Sequence, residues 1–423
     1  MFAMNIENKQ KIIFFFPYYQ VSGVPVLFIR FAKALSQKGR KILIVDFEDG
    51  YMHKKLKREN NIKFMFYKKG EKFTFPDNST IIFQSIIPET LPKNLKFNQK
   101  NKIIFWTLYQ ANFIQTVIPT DFFKNFQYRY PKFFKNISEL LFPNQNKRLS
   151  QMINDMHKKN SIFFMSYDTY DFTNKFLKLD FVNPKLIPVC IDSSPNSLNK
   201  NKIQNKSINI TWVGRLDDFK IHILNYFIEC LNQSKFLNSH KIIFHVIGDG
   251  AFSINYPKYL SNNLKIKHTK NVDHDRLDNI LLGTHLFVGM GTSALEASRY
   301  GIPTLCVDFF YKKINFNYQF SWMFEKNQYD LGSMINKNTY RNFLFNNLDE
   351  KLSELINNFN QISLKSYNHF EEHHSLEKFI SVFENEVNIS SFKFSDFNKK
   401  VFDDTFLRKI YNNFKTFFAK DVW

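Results

Sequence analysis

Twice along this chain, short unbroken runs of Ile, Val, Leu and Phe alternate with segments of helical length and spacing. Ile12, Ile13, Phe14, Phe15 and Phe16 form the first run, which reads as a strand buried on both faces. A loop over 17–24 follows, and then Leu27, Phe28, Phe31, Ala32 and Leu35 recur at helical spacing within 26–37. Gly39 stops that helix and 41–46 is the next strand. Such a βαβ unit requires a parallel sheet covered on both faces. Further strands are expected at 80–83, 102–106, 161–165 and 186–189, with helices and loops around a cleft over 107–153.

The rhythm restarts in the second half. Strands are expected at 207–213, 241–247, 285–288 and 303–307, and helices at 222–232, 275–282 and 293–300, with Asp275 capping the second of these helices. Beyond about residue 345 the chain turns helical and polar. Between the two rounds, 192–206 is rich in Ser, Asn and Lys and is the best linker. The expected organisation is therefore α/β: a Rossmann-like domain over 1–195, a second over 206–345, and a helical segment over 346–423 that partly packs back on the first. A chain of 423 residues accommodates two domains of roughly 150–200 residues each.

Composition narrows the class without naming a substrate. With 44% hydrophobic residues the chain can fill two cores, which excludes wholesale disorder. The 51 Phe are read as biased coding composition, so a single Phe carries little information. A net charge of +20 suits nucleic acid, an anionic membrane or a phosphorylated substrate equally. Three unpaired-looking Cys, at 190, 230 and 306, point to reduced thiols and a cytoplasmic setting. Pro17 breaks the first apolar run too early for a signal peptide, and no stretch is long enough to span a bilayer. The expectation is a cytoplasmic protein, peripheral at the inner membrane at most.

Three segments at strand ends could carry chemistry. Gly214 and Arg215 close the strand at 207–213, and Lys220 follows; an Arg fork and a Lys point charge suit a diphosphate. Gly248, Asp249 and Gly250 mark a tight turn after the strand at 241–247. Gly291, Thr292 and Ser293 form a turn into a helix, which Thr292 or Ser293 would cap, with Glu296 read into its first turn. Each segment alone also reads as an ordinary loop. All three fall at carboxyl ends of strands in one α/β domain, where open sheets bind ligands.

The run Val213-Gly214-Arg215-Leu216 with Lys220, then Gly248-Asp249-Gly250, then Gly291-Thr292-Ser293-Ala294-Leu295-Glu296-Ala297 with Gly301-Ile302-Pro303, resembles glycosyltransferase family 4 and its GT-B relatives. Gly23 after the first strand and Leu186-Ile187-Pro188 before Asp192 extend the likeness, which covers roughly 10–335. The resemblance implies two Rossmann-like domains facing across a cleft. It also implies a nucleotide-diphosphate sugar as donor substrate, a glycan or lipid-linked acceptor such as a lipopolysaccharide or capsule precursor, and neither cofactor nor metal. On it, Arg215 and Lys220 neutralise the diphosphate, Glu296 holds the ribose, Gly214, Gly248, Asp249, Gly250, Gly291, Thr292, Ser293 and Leu295 line the donor, and Gly23 approaches from the first domain. It further implies retention of anomeric configuration, although Val288 stands where the family usually carries its first Glu. A His common in the family's first domain is also missing from Phe105-Trp106-Thr107-Leu108-Tyr109-Gln110.

Other readings compete with this one. A nucleotide-sugar epimerase on the same scaffold would need carboxylates and a His in the cleft, and no such set is evident. A basic nucleic-acid-binding protein would need a basic stripe, whereas these Lys are dispersed, so no nucleic acid is expected. His369, Glu372 and His373 fit an H-x-x-E-H zinc pattern, read as chance. An apolar stripe over 402–418 flanked by Lys409, Lys415 and Lys420 could touch anionic membrane or pack on the first domain.

Overall fold

A computed structural model describes residues 10–85, 91–110, 112–113, 130–193, 203, 206–403, 406 and 409–410. The stripe over 402–418 and the linker over 192–206 fall mostly outside these residues. Contacts divide the chain into two compact units. One holds the described residues up to Cys190 and from Leu376 onward, and the other is Ile191–Ser375.

The first unit is built on β1 (Lys11–Phe15), β2 (Ile42–Asp46), β3 (Ile62–Phe66), β5 (Ser79–Gln84), β7 (Lys102–Thr107) and β8 (Ile162–Phe164). A separate parallel pair, β4 (Phe73–Thr74) and β6 (Leu95–Lys96), lies outside that sheet. The six strands are all parallel in the order β3-β2-β1-β5-β7-β8. Its helices are α1 (Gly23–Gln37), α2 (Tyr51–Leu56), α3 (Pro131–Leu141), α4 (Pro143–Lys158) and α5 (Tyr167–Leu177). The α1 stripe of Leu27, Phe28, Phe31, Ala32 and Leu35 is buried as its spacing requires. Gly39, at a φ of 75°, turns the chain out of α1. Lys41, expected within β2, precedes it, and 186–189 contributes an isolated bridge from Leu186 to Phe164 in place of a full strand.

The second unit repeats the scheme. β9 (Ser207–Val213), β10 (Lys241–Ile247), β11 (Leu264–Thr269), β12 (Leu286–Gly289) and β13 (Thr304–Cys306) form a parallel sheet in the order β11-β10-β9-β12-β13. It carries α6 (Ile221–Gln233), α7 (His274–Leu282), α8 (Thr292–Ser298) and α9 (Leu348–His373), the last kinked at Asn358. The cap of α7 is Asp273, whose carboxylate accepts the Arg276 N–H at 2.8 Å, and not Asp275 as its position suggested. The helix begins one residue earlier than the sequence indicates, so the capping position moves with it.

Helix α10 (Leu376–Ile389) returns the chain to the first unit. There Phe383 is fully buried, 4.7 Å from the Phe31 ring and 5.1 Å from Trp106. Arg40 is nearly buried beside it, bonded to Asn388 at 3.0 Å and paired with Glu384 at 3.4 Å. The abundant Phe thus do ordinary work: Phe15, Phe73, Phe75, Phe83 and Phe105 pack edge-on to one another over one face of the first sheet. Among the described residues no helix is long and apolar enough to cross a membrane.

Candidate active site at the carboxyl edge of the second sheet

In both sheets the chain starts at a central strand, winds outward one way, then crosses back to wind the other. The first strand of each round, β1 or β9, therefore borders the point where strand order reverses. In open α/β sheets the crevice outside the carboxyl ends at that point is where ligands bind. In the second unit β10, β9 and β12 are neighbours there, with Ile247 opposite Val213 and Phe287 opposite Thr211. The three loops singled out in the sequence leave from these adjacent strands.

The loops after β9 and β10 are laced together. The Gly214 N–H donates to Ile247 O at 2.9 Å, Leu216 N–H to Asp249 O at 3.0 Å and Phe252 N–H to Leu216 O at 3.2 Å. A Cβ on Gly248, which has a φ of 148°, would lie 2.0 Å from Gly214 O, and one on Gly250 would lie 2.4 Å from Leu216 O. These glycines are therefore demanded by the contact between two loops, independently of any ligand. The exposed Asp249 carboxylate turns back to its own loop and accepts the Gly250 N–H at 2.9 Å.

On this base stand two cations. Arg215 is 72% exposed and pairs with Asp217 at 3.1 Å, a surface contact too weak to commit the guanidinium. Lys220, in the turn that opens α6, is half-buried, with its Nζ 5.5 Å from the Phe219 ring centre and 3.5 Å from where a Gly214 Cβ would sit. Burial lowers its pKa from the ordinary 10.5, Asp217 works against that shift and Arg215 with it. Lys220 Nζ has neither ion pair nor hydrogen bond among the described residues.

The third loop departs from the sequence reading in two ways. Gly291, at φ 65° and ψ −145°, is itself the N-cap of α8, and neither Thr292 nor Ser293 caps it. The Ser293 hydroxyl instead donates back to Met290 O at 3.0 Å. Because the helix starts at Thr292, Glu296 is its fifth residue and not in the first turn; it pairs with Arg299 at 3.0 Å. Leu295 is fully buried, so its side chain packs the interior. Val288 lies inside β12 and is fully buried, so a carboxylate there would sit in the core.

Sequence reasoning missed the strap that holds this loop. Gly291 N–H donates to Leu331 O at 2.7 Å, and a Cβ on Gly332 would lie 2.5 Å from Val307 O. Beneath the strap, Asp308 accepts both a bidentate contact from Lys326 at 2.8 Å and the Tyr318 hydroxyl at 3.0 Å, along with Ser333 N–H at 2.9 Å. Burial alone would lower the Lys326 pKa, but the Asp308 carboxylate raises it above its ordinary value, so the ammonium keeps its proton. The signal was available: Asp308 follows the last parallel strand at its carboxyl edge, and Gly332 stands alone among Asp330, Leu331 and Ser333.

In the first unit Gly23 opens α1 directly after β1, and a Cβ there would meet nothing within 4 Å. In the same unit, buried Asp46 at the end of β2 accepts N–H groups from Tyr18, Phe47 and His53 at 2.9, 2.9 and 3.0 Å. Dinucleotide folds use an acidic residue downstream of the Gly-rich turn to hold a ribose. Here the carboxylate is consumed by backbone. In the segment that lacks the family's His, Trp106 is buried and donates to Ile187 O at 3.0 Å, and Thr107 shares a hydrogen bond with Ser85.

The H-x-x-E-H segment forms the last turns of α9, with the His369 and His373 rings 4.7 Å apart. Among the described residues no three His, Cys, Asp or Glu are grouped to hold a metal. Burial, with His373 second, pushes the His369 pKa down from 6.5 to about 4. The unfolded chain therefore binds more protons between these values, and stability is lost as pH falls through that window. Thermal unfolding followed from pH 7 to 4.5 is expected to show a smaller decline for His369→Gln than for the unsubstituted protein; equal slopes would refute the assignment.

No protein-family model matches the chain, and no curated protein sequence matches it. Solved structures do. A glycosyltransferase from Rickettsia africae ESF-5 superposes over 90% of this chain and 99% of its own, with 14% identity and a TM-score of 0.53. TarM superposes over 91% of this chain and 100% of its own, with 13% identity and a TM-score of 0.54.

Proposed function

We propose that this chain, which has the fold of the GT-B glycosyltransferases, transfers a sugar from a nucleoside-diphosphate sugar to a glycan or lipid-linked acceptor. The observation that carries the reading is the placement of Arg215 and Lys220 on the loop leaving the central strand at the switch point, beside the Gly291 turn. The bond broken in such a transfer leaves a nucleoside diphosphate carrying new negative charge. Arg215 offers a planar fork and Lys220 a poorly solvated point charge to that leaving group. Both leave from a loop pair whose backbone is set by the Gly248 and Gly250 contacts.

In this reading the positive charge comes from side chains, and the transfer is independent of metal. Glu296, oriented by Arg299, is suited to accept hydrogen bonds from ribose hydroxyls. The net charge of +20 suits, without selecting, a phosphorylated, lipid-linked acceptor at an anionic membrane surface, as in surface-polysaccharide synthesis.

A thermal-shift series with UDP, GDP, ADP and CMP tests the reading. A nucleotide present at about a hundred times its Kd stabilises the folded state by about 2.7 kcal/mol, which raises the midpoint by several degrees. One nucleoside diphosphate is expected to do this while CMP does not. A flat response to all four removes the proposal.

A further inference from the structure

Three tryptophans lie among the described residues, and all are essentially buried: Trp106, Trp212 and Trp322. Two of them donate their indole N–H, Trp106 to Ile187 O at 3.0 Å and Trp322 to Glu354 Oε2 at 2.6 Å. The third does not. Trp212 Nε1 is buried and finds no acceptor among the described residues. Leaving such a donor unmet costs about 1–3 kcal/mol, whereas a Phe would fill similar space at no such cost.

The position of that donor explains it. Trp212 and Gly214 are two residues apart at the end of β9, so they face the same side of the sheet. A point at Gly214's absent Cβ is 3.5 Å from Trp212 Nε1 and 3.5 Å from Lys220 Nζ. A neutral donor and a cation, neither with an acceptor among the described residues, thus border the space that the glycine at 214 leaves without a side chain.

We infer that this notch over Gly214 is an oxyanion pocket, in which one phosphoryl oxygen takes the Trp212 N–H while Lys220 neutralises its charge. The inference rests on the proposed diphosphate reading and deepens it by adding a buried, neutral donor to the two cations. Lys220 supplies attraction without direction; Trp212, fixed in the core, supplies direction. The absence of a side chain at 214 is what admits the oxygen.

Isothermal titration of the full chain with inorganic pyrophosphate, the nucleoside diphosphate that gives the largest thermal shift, and its parent nucleoside tests this. Trp212→Phe is expected to weaken pyrophosphate and the diphosphate by about tenfold, the scale of a hydrogen bond to a charged group, and to leave the nucleoside unchanged. Gly214→Ala, whose Cβ meets only ordinary contacts, is expected to weaken the same two ligands by filling the notch. It remains informative if the tryptophan variant fails to fold. Unchanged pyrophosphate and diphosphate affinity in both variants overturns the pocket but leaves the glycosyltransferase reading standing. Equal weakening of nucleoside and diphosphate shows a packing role and also overturns it. Pyrophosphate binding that needs Trp212, with no nucleotide binding at all, keeps the pocket and removes the donor reading; a protein that binds none of these ligands removes both.

Discussion

Gly248→Ala is expected to destabilise the protein by about 3 kcal/mol or more, because two independent costs fall on one methyl group. The first is conformational: at a φ of 148° the backbone lies where L residues are rarely found, a strain of about 1–3 kcal/mol. The second is steric. The new Cβ would lie 2.0 Å from Gly214 O, an atom fixed because Gly214 N–H is bonded to Ile247 O at 2.9 Å. Relief requires moving backbone on both strands, and overpacking of that kind costs about 1–3 kcal/mol more. Against a typical total stability of about 5–15 kcal/mol, the midpoint should fall by about 10 °C by differential scanning calorimetry. Gly23→Ala serves as the control, since its Cβ meets nothing within 4 Å and no change in midpoint is expected. A Gly248→Ala protein melting within about 2 °C of the unsubstituted chain would show that the two loops are not locked together as described.

The same glycines show where sequence is legible and where it misleads. Their place at the ends of β9 and β10 follows from the mainly apolar runs before them, which stop where the glycines begin. What the spacing cannot show is the partner. A glycine that lets backbone approach a ligand and one that lets backbone approach backbone look identical in one dimension, and Gly248 and Gly250 are of the second kind. Sequence missed the short β4–β6 pair and, in the two larger sheets, β3 and β11, which are both edge strands whose apolar pattern Lys63, Lys265 and Lys267 interrupt. Charge on an edge protects it from further pairing and blurs the signal of a strand. Glu296 and the α8 cap were misplaced by a residue or more because Gly291 can itself adopt the capping conformation, leaving Ser293 to bond elsewhere. The Asp308–Lys326 pair joins residues 18 apart across a loop, a separation no local pattern reports.

Lys220→Ala is expected to cut turnover by a factor of about 10²–10³, or about 2.7–4 kcal/mol of transition-state stabilisation, by analogy with the loss of one preorganised donor from an oxyanion site. The loss should fall on kcat more than on KM, because the leaving group gains charge as the bond breaks and the substrate is already bound before that. A pH series separates this from simple loss of fold. Burial disfavours the ammonium, so Lys220 releases its proton below the ordinary 10.5. Without ligand, the unfolded chain then holds more protons than the folded one between the lowered pKa and 10.5, and stability attributable to this residue rises with pH across that window. Diphosphate affinity runs the opposite way, since it needs the charged form and declines as pH rises through the lowered pKa. Lys220→Arg keeps a cation at every accessible pH, so its diphosphate affinity should lose that decline even where its turnover is impaired by the bulk of the fork. If Lys220→Arg and the unsubstituted protein show the same decline of affinity with pH, the charge that meets the diphosphate is not the one on Lys220. Turnover in Lys220→Ala within about threefold of normal, far short of the loss of one oxyanion donor, would equally remove Lys220 from the leaving-group site.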